Sequence, residues 1–398
     1  MLSGKTVVLG VTGSIAAYKI ANLASMLVKL HCDVHVIMTR NAMNFIHPLT
    51  FETLTGNRCL VDMFDRNFKY NVEHVSLAKK ADAVMVAPAS ANVIAKLAYG
   101  LADDMLTTTV LACDCKKIAA PAMNTQMYRN SIVQENIVKL KNHGFEVISP
   151  AVGMLACRDI GEGKLPNEQV LLDYILREIA YEKDMAGQKV LVTAGPTREA
   201  IDPVRFITNH STGKMGYAAA KMCMLRGADV TLVTGQTALE KPPFVKVINI
   251  TGAKEMFDEV TACAKDQDII IKAAAVADYR PGEVSEEKVK KSESSMILEL
   301  EKTDDILKYL GEHKQPGQIL CGFSMETQNV IENSKAKLIG KNLDLIVANN
   351  LKEEGAGFGT DTNVITIITG EDVTTLDIMS KEEAANRVLD KILELKQG

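Results

Sequence analysis

The chain has 398 residues, 47% hydrophobic and 24% charged, with a formal net charge of −5. That is ordinary globular material, long enough for two domains that each bury a core of their own. With no excess of Lys and Arg, nothing draws the chain to nucleic acid or to an anionic membrane surface, so any polyanion it handles must be held by locally placed groups.

The opening "MLSGKTVVLG" runs straight into a strand-like segment without the charged and apolar regions of a signal peptide, and no stretch approaches about 18 uninterrupted apolar residues. The chain therefore reads as cytoplasmic. "KTVVLGVTGS" is a buried strand, "IAAYKIANLASMLVKL" a helix by its apolar spacing and "DVHVIMT" a second strand, together a βαβ unit. "ADAVMVAPAS" (strand), "ANVIAKLAYG" (helix) and "KKIAAPAM" (strand) continue the pattern, which predicts a parallel sheet with helices on both faces. The next segment, "PAMNTQMYRN", follows the C-terminal end of a strand, the edge at which such sheets bind ligands. Its Asn124 has two readings: a cap for a helix over Thr125 to Lys141, or a donor and acceptor for a substrate carboxylate or amide, with methionines such as Met123 packed on a flat ring.

A second start appears at "AGQKVLVTAGPTREAID", followed by a helix in "GKMGYAAAKMCMLRGA" and a strand in "DVTLVTG". The expected fold is α/β with two doubly wound domains, a flavodoxin- or Rossmann-like parallel sheet in 1–186 and a Rossmann-like sheet in 187–398. Their junction falls in "AYEKDMAG", near Asp184. Neither Gly-bearing turn is a nucleotide fingerprint: "GVTGS" lacks the third Gly of a dinucleotide site, and "HSTGKMG" has Met215 where a phosphate loop needs Ser or Thr. Eight cysteines are scattered without a CxxC pair, as expected of buried small hydrophobes, with Cys157 the exception developed below.

Several long segments carry a resemblance. "TGSIAAYK", "EHVSLAKKADAVMVAPASANVIAKLAYGLADDMLTTT", "PAMNTQMY" and "LACRDIGEGKLP" resemble, in order, the homo-oligomeric flavin-containing cysteine decarboxylases. "TAGPTREAIDPVRFITNHSTGKMGYA", "AAAVADYRP", "EKVKK" and "GFSMET" resemble the phosphopantothenate–cysteine ligases, so the chain is similar throughout to the bifunctional decarboxylase–ligase family of coenzyme A biosynthesis. Two positions depart from the pattern: Tyr128 stands where Trp is usual, and Arg158 where Gly is common.

The resemblance implies FMN in the first domain, with Gly13, Ser14 and Thr39 near its phosphate and Ser90, Asn92 and Met123 near its ring. It implies His74 as proton acceptor while the substrate thiol is oxidised, Asn124 as the group holding the substrate carboxylate, and Cys157, on the glycine-rich flap "GMLACRDIGEGKLP", as proton donor in the closing reduction. In the second domain it implies CTP, used to activate 4'-phosphopantothenate as an acyl-cytidylate before cysteine attacks. The residues assigned to CTP are Ala274, Asp278, Lys288, Thr303, Asp304, Asp305, Ile306, Phe323, Lys337 and Lys341, and Asn209 would contact the activated acyl group. Lys337 and Lys341, four apart, would share one helix face. Mg2+ is expected with the triphosphate, with no protein ligand evident. The family assembles through trimers of the first half and dimers of the second, which combine into a dodecamer. A nicotinamide-dependent dehydrogenase would need a GxGxxG turn with an acidic residue about 20 positions on, and the sequence has neither. A flavin-binding regulatory subunit, the non-enzymatic alternative, need not keep His74, Asn124 and Cys157 together beside a complete ligase half.

Overall fold

In the computed structural model, which describes residues 1–64, 73–154, 160–290, 296–326, 328–350 and 359–397, the run Thr6–Val11 forms a strand (β1) buried along its whole length. A strand covered on both faces reads as a continuous β-branched run instead of an alternation, which is why the parallel sheet was visible in the sequence. After one tight helical turn at Ile15–Tyr18, α1 (Lys19–Lys29) buries Ile20, Leu23, Ala24 and Leu27 at helical spacing. Then follow β2 (Asp33–Met38), α2 (Pro48–Thr55), α3 (Glu73–Lys80), β3 (Ala83–Ala89), α4 (Ala91–Tyr99), α5 (Met105–Ala112) and β4 (Lys116–Pro121). With α6 (Thr125–Arg129), α7 (Ser131–Asn142) and β5 (Phe145–Val147) they complete a five-stranded parallel sheet in the order β2-β1-β3-β4-β5. β6 (Ala151–Met154) and β7 (Ile160–Lys164) make a separate antiparallel ribbon, and α8 (Glu168–Ile179) closes the unit.

The single helix expected from Thr125 to Lys141 is two helices. Asn130 sits between them in an extended conformation, φ −60° and ψ 131°, and its Oδ1 accepts the Ile132 amide at 3.0 Å as the cap of α7. The apolar spacing runs on through the break and hides it; what breaks the helix is an asparagine side chain that competes for backbone N–H groups.

The second unit opens with β8 (Lys189–Ala194), a small hairpin of β9 (Arg198–Ala200) and β10 (Phe206–Thr208), α9 (Lys214–Leu225), β11 (Asp229–Thr234), β12 (Lys246–Asn249) and α10 (Ala253–Ala264). β13 (Ile269–Lys272), the paired β14 (Tyr279–Pro281) and β15 (Leu300–Lys302), α11 (Ile306–Glu312), β16 (Ile319–Glu326), α12 (Val330–Gly340) and β17 (Leu345–Asn350) continue it. The C-terminal part holds β18 (Thr362–Asn363), β19 (Ile365–Thr369), β20 (Val373–Thr375), β21 (Met379–Ser380) and the long α13 (Lys381–Gln397). The sheet order is β12-β11-β8-β13-β16-β17-β19-β20, parallel from β12 to β17 and antiparallel over the last two strands. Its parallel part has the Rossmann order, whose crevice opens at the switch between β8 and β13, while the first sheet has the flavodoxin order with its switch between β1 and β3.

The two compact units are Met1–Glu182 and Lys183–Gly398. Lys183 and Asp184 belong with the second: Lys183 Nζ donates to the Leu225 carbonyl at 2.5 Å, and the Asp184 carboxylate receives Arg226 Nε at 2.9 Å. Arg226, almost wholly buried, also reaches Asp390 at 2.7 Å, so it ties the start of the unit to α13. Each unit has its own core, around Val84, Val86, Ile94 and Leu106 in the first and Ile270, Leu320, Leu310 and Ile346 in the second. Among the described residues no helix is long and apolar enough to cross a membrane.

Candidate functional site

At the switch point of the first sheet, Thr12 holds two turns together. Its Oγ1 donates to the Pro88 carbonyl at 2.6 Å and accepts the Ser90 amide at 3.0 Å, which brings the turn after β1 against the start of α4. Ser90 caps α4, its Oγ facing the Val93 amide at 3.5 Å. Gly13 lies so close to the turn after β2 that a Cβ there would meet Asn41 Cβ at 2.7 Å. These turns enclose a cleft of about 920 Å³ whose lining includes Gly13, Thr39, Asn41, Ser90, Asn92 and Met127. Thr39 Oγ1 is buried there without a hydrogen-bond partner among the described residues. A buried hydroxyl left unsatisfied by the protein is costly, and is expected where a ligand supplies the partner. That orphaned hydroxyl, two turns with close backbone approach and a helix N-terminus fit the phosphate of the expected FMN, and the cleft is of a size for a cofactor.

Ser14, Met123, Asn124 and His74 do not line this cleft. The Ser14 hydroxyl accepts the Ala16 amide at 3.3 Å as a helix cap. Asn124 does the same for α6, its Oδ1 accepting the Gln126 amide at 2.8 Å, so the capping reading holds for that oxygen. The segment around it is pinned to the β6–β7 ribbon: the Met123 amide donates to the Gly163 carbonyl at 3.0 Å, Thr125 Oγ1 to the Glu162 carbonyl at 2.8 Å, and Arg129 Nε pairs with the Glu162 carboxylate at 3.0 Å. Only glycine permits this approach, because a Cβ at Gly163 (φ +118°) would lie 2.2 Å from the Met123 carbonyl oxygen and one at Gly161 2.4 Å from Thr125 Oγ1. The structure thus joins the Asn124 segment to the flap that carries Cys157, although Cys157 and Arg158 themselves lie outside the described residues. Tyr128 packs, half-buried, against the core.

His74 is the second residue of α3, a helix whose far end is tied to β2 by the Lys80–Asp33 ion pair. Burial pushes the Asp33 carboxyl up, but hydrogen bonds from Lys80, Asn57 and His35 outweigh it and hold its pKa at about 2.

In the second unit, Thr193 Oγ1 accepts the Ala274 amide at 3.1 Å and Thr303 Oγ1 donates to the Ala277 carbonyl at 2.6 Å, which fixes the loop after β13 against the loop before α11. Together with Phe323 of β16 these loops enclose a cleft of about 460 Å³. Ala274, Asp278, Thr303, Asp304, Asp305, Ile306, Phe323 and Lys341 all line it, so eight positions named from the sequence, scattered over 68 residues, meet at one crevice. Lys288 and Lys337 do not line it; Lys288 is exposed on the loop after β14. Lys341 is not on the helix face expected for it: α12 ends at Gly340, and Lys341, its C-cap, turns to the Asp305 carboxylate at 2.8 Å. Asp305 in turn caps α11 through the Lys308 amide at 3.0 Å. Asn209 is exposed beside this loop, its Nδ2 donating to the Ala275 carbonyl at 3.1 Å. In "HSTGKMG", Lys214 is engaged by Asp361 at 2.7 Å and by the Gly359 carbonyl at 2.8 Å, so this glycine turn is braced from within the unit.

The reading of the sequence passed over Lys272, which also lines this cleft. Its signal was present: a lysine closing the apolar strand run "IIIK" has to be buried with the strand or aimed at a ligand.

Residues 1–180 match the family described as Flavoprotein, and residues 185–395 the family described as DNA/pantothenate metabolism flavoprotein C-terminal domain. Fold and clefts therefore define a two-unit flavoprotein of the doubly wound class. The "Coenzyme A biosynthesis bifunctional protein CoaBC" of Bacillus subtilis (strain 168) is 45% identical over 100% of this chain and 98% of its own. Its namesake in Vibrio vulnificus (strain CMCP6) is 42% identical over 99% of this chain and 98% of its own. The crystal structure of the C-terminal domain of a protein of that name is 42% identical and covers 54% of this chain and 98% of its own, with a TM-score of 0.47. The chain belongs to this family of bifunctional coenzyme A biosynthesis enzymes, which pair a phosphopantothenoylcysteine decarboxylase with a phosphopantothenate–cysteine ligase.

Proposed function

We propose that the second unit joins 4'-phosphopantothenate to cysteine using CTP, and that the first unit decarboxylates the product with FMN to give 4'-phosphopantetheine. The observation that carries this reading is the convergence of Ala274, Asp278, Thr303 to Ile306, Phe323 and Lys341 on one crevice beside the carboxyl end of β13, on its β16 side. Membership of the family supplies the reaction type.

In the ligase step the carboxylate of 4'-phosphopantothenate attacks the α-phosphate of CTP, pyrophosphate leaves, and the cysteine amine then displaces CMP from the acyl-cytidylate. Phe323 and Ala274 wall the base, Asp278 takes the ribose or the cytosine, and the loop from Thr303 to Ile306 closes the nucleotide in. Lys341, with Lys288 and Lys337, balances the charge that builds on the phosphoryl oxygens and on pyrophosphate. Mg2+ would accompany the triphosphate and offset part of its charge. Asn209, held by the Ala275 carbonyl, positions the acyl group.

In the decarboxylase step FMN, when bound, supplies a two-electron acceptor and donor. Gly13, Thr39, Ser90 and Asn92, which line the cleft, would hold it, together with Ser14 and Met123 from the neighbouring turns. His74 removes the thiol proton as the substrate sulfur is oxidised, Asn124 holds the carboxylate that leaves as CO2, and Cys157 returns a proton to the product. The β7 end of the ribbon is pinned to the Asn124 segment, which places Gly161 to Gly163 against it. The protein acts in the cytoplasm as a homo-oligomer, a dodecamer by its resemblance; the exposed Tyr99, Leu101, Leu111 and Ile132 on the first unit support contact with further copies.

The test is a purified sample with a flavin spectrum, given 4'-phosphopantothenate, cysteine and CTP, and followed by mass spectrometry. The expected products are CMP, pyrophosphate, CO2 and 4'-phosphopantetheine. His74→Asn should keep the flavin spectrum and stop decarboxylation, and Lys288→Gln should slow only the ligation. A colourless protein that takes up no flavin would sink the first assignment, and turnover with no CMP released would sink the second.

A further inference from the structure

Lys272 ends β13 at the switch point of the second sheet, next to β8 and β16 on either side. Strand side chains alternate between faces, so Lys272 shares a face with Ile270, which packs with Ile306 and Leu310 of α11. The residue is 8% exposed, yet it lines the cleft. Among the described residues its ammonium has no hydrogen bond and no ion pair.

That is unusual for a lysine at such depth, because a buried cation normally finds an acceptor within the protein. Lys381, 6% exposed, shows the ordinary solution, with Nζ donating to the Thr362 carbonyl at 2.9 Å and to the Thr360 carbonyl. The charged groups that face Lys272 are Lys341 at the end of α12, Asp305 at the start of α11 and Asp278 after β13. Asp305 is already committed, to Lys341 at 2.8 Å and to the Lys308 amide at 3.0 Å. Two ammonium groups therefore face two carboxylates, of which Asp305 is engaged and Asp278 lines the same cleft without contacting Lys272, and the space beside them is ligand space.

We propose that Lys272 is a phosphate-binding residue of the ligase cleft, its ammonium taking an anionic oxygen of the CTP polyphosphate between itself and Lys341. The inference rests on the reading of this cleft as the nucleotide site. An anion in that position relieves both the missing partner and the repulsion between the two lysines, whereas a neutral carbonyl of the base would relieve only the first. Hydrogen bonds between charged partners are also the stronger kind. Burial, and then the like charge of Lys341, draw the pKa of Lys272 down to about 8 in the unliganded unit. A bound phosphate would draw it back up, so nucleotide binding above pH 8 would take up a proton.

The experiment is calorimetric titration of the full-length protein and of Lys272→Met with CTP, at pH 7 and pH 8.5 and in buffers of different ionisation enthalpy. Binding of cytidine is followed in parallel by ligand-observed NMR. Lys272→Met is expected to lose roughly 10- to 100-fold in CTP affinity, the range for one charge-assisted contact, and to bind cytidine as the wild type does. Wild type should take up protons with CTP at pH 8.5, and the variant should not. Wild-type CTP affinity in the variant, or an equal loss for cytidine and CTP, would overturn the proposal. A wild-type protein that binds neither ligand would overturn the nucleotide reading itself, and the proposal with it.

Discussion

Replacing Lys272 with methionine removes an unpaired ammonium from the interior while keeping most of its aliphatic stem, and it should make the second unit more stable as its ligand affinity falls. In the folded unit the pKa of Lys272 lies at about 8, against an ordinary 10.5, a difference of about 2.5 units. At about 1.4 kcal/mol per unit, carrying the charged form into the fold costs roughly 3 kcal/mol at pH 7. The sign follows from proton binding. Between the two pKa values the unfolded chain holds the proton more tightly than the folded one, so the penalty is full below about pH 8 and fades as the pH rises toward 10.5. Lys272→Met should therefore exceed wild type by on the order of 3 kcal/mol at pH 7 and by roughly half of that at pH 9.5. Cys321, fully buried on β16 and paired in register with Ile271, reports on this sheet alone. Pulsed thiol labelling across a urea gradient, read by mass spectrometry of the Cys321 peptide, measures the opening of the second unit inside the intact chain. If Cys321 is labelled at the same urea concentration in both proteins at pH 7, the ammonium is not desolvated as argued, and the case for a cation waiting for an anion goes with it.

Three further changes probe the first unit and the junction. Thr39→Val removes a hydroxyl that has no internal partner, so stability without ligand should change by less than about 1 kcal/mol while FMN affinity falls roughly tenfold or more; equal flavin affinity in a fluorescence titration would take Thr39 out of the phosphate site. Gly163→Ala forces a Cβ to within 2.2 Å of the Met123 carbonyl, so the ribbon must lift from the Asn124 segment. Limited proteolysis should then cut the ribbon faster, with flavin retained and decarboxylation reduced, and an unchanged cleavage pattern would count against the docked ribbon. A fragment that begins at Lys183 should be more stable to urea than one that begins at Gly187, by about 1–3 kcal/mol, because the shorter piece deprives the buried Arg226 of Asp184; equal stability would mean that Asp390 alone satisfies the arginine.

What could be read from the sequence, and what could not, divides along physical lines. Both parallel sheets were legible because strands covered on two faces must be continuous apolar runs, and "TVVLGV" or "KVLVTA" admits little else. The antiparallel additions were not. β6, β7 and β20 are short and partly exposed, and a run such as "IGEGK" is set by what it must approach and not by what it buries. Its glycines become intelligible only when Met123 and Thr125 are seen against them. The same distinction applies to the site. Ala274, Asp278, Phe323 and the loop from Thr303 to Ile306, named through their resemblance to a family, line one cleft, and such motifs fall on loops at the carboxyl ends of strands. Lys288 was named from "EKVKK" and Lys337 from "KAKLIGKN", and neither is among the residues that line the cleft, because a cluster of lysines in sequence says nothing about which of them folds inward. Lys272 has the opposite character: no motif marks it, but elementary electrostatics does. A charge at the end of a fully apolar strand must be paired, neutralised or in use. The first is absent among the described residues, and the second is under way: burial and the like charge of Lys341 draw its pKa down to about 8. The third is the proposal made above, and the cleft that Lys272 lines is where that use would lie.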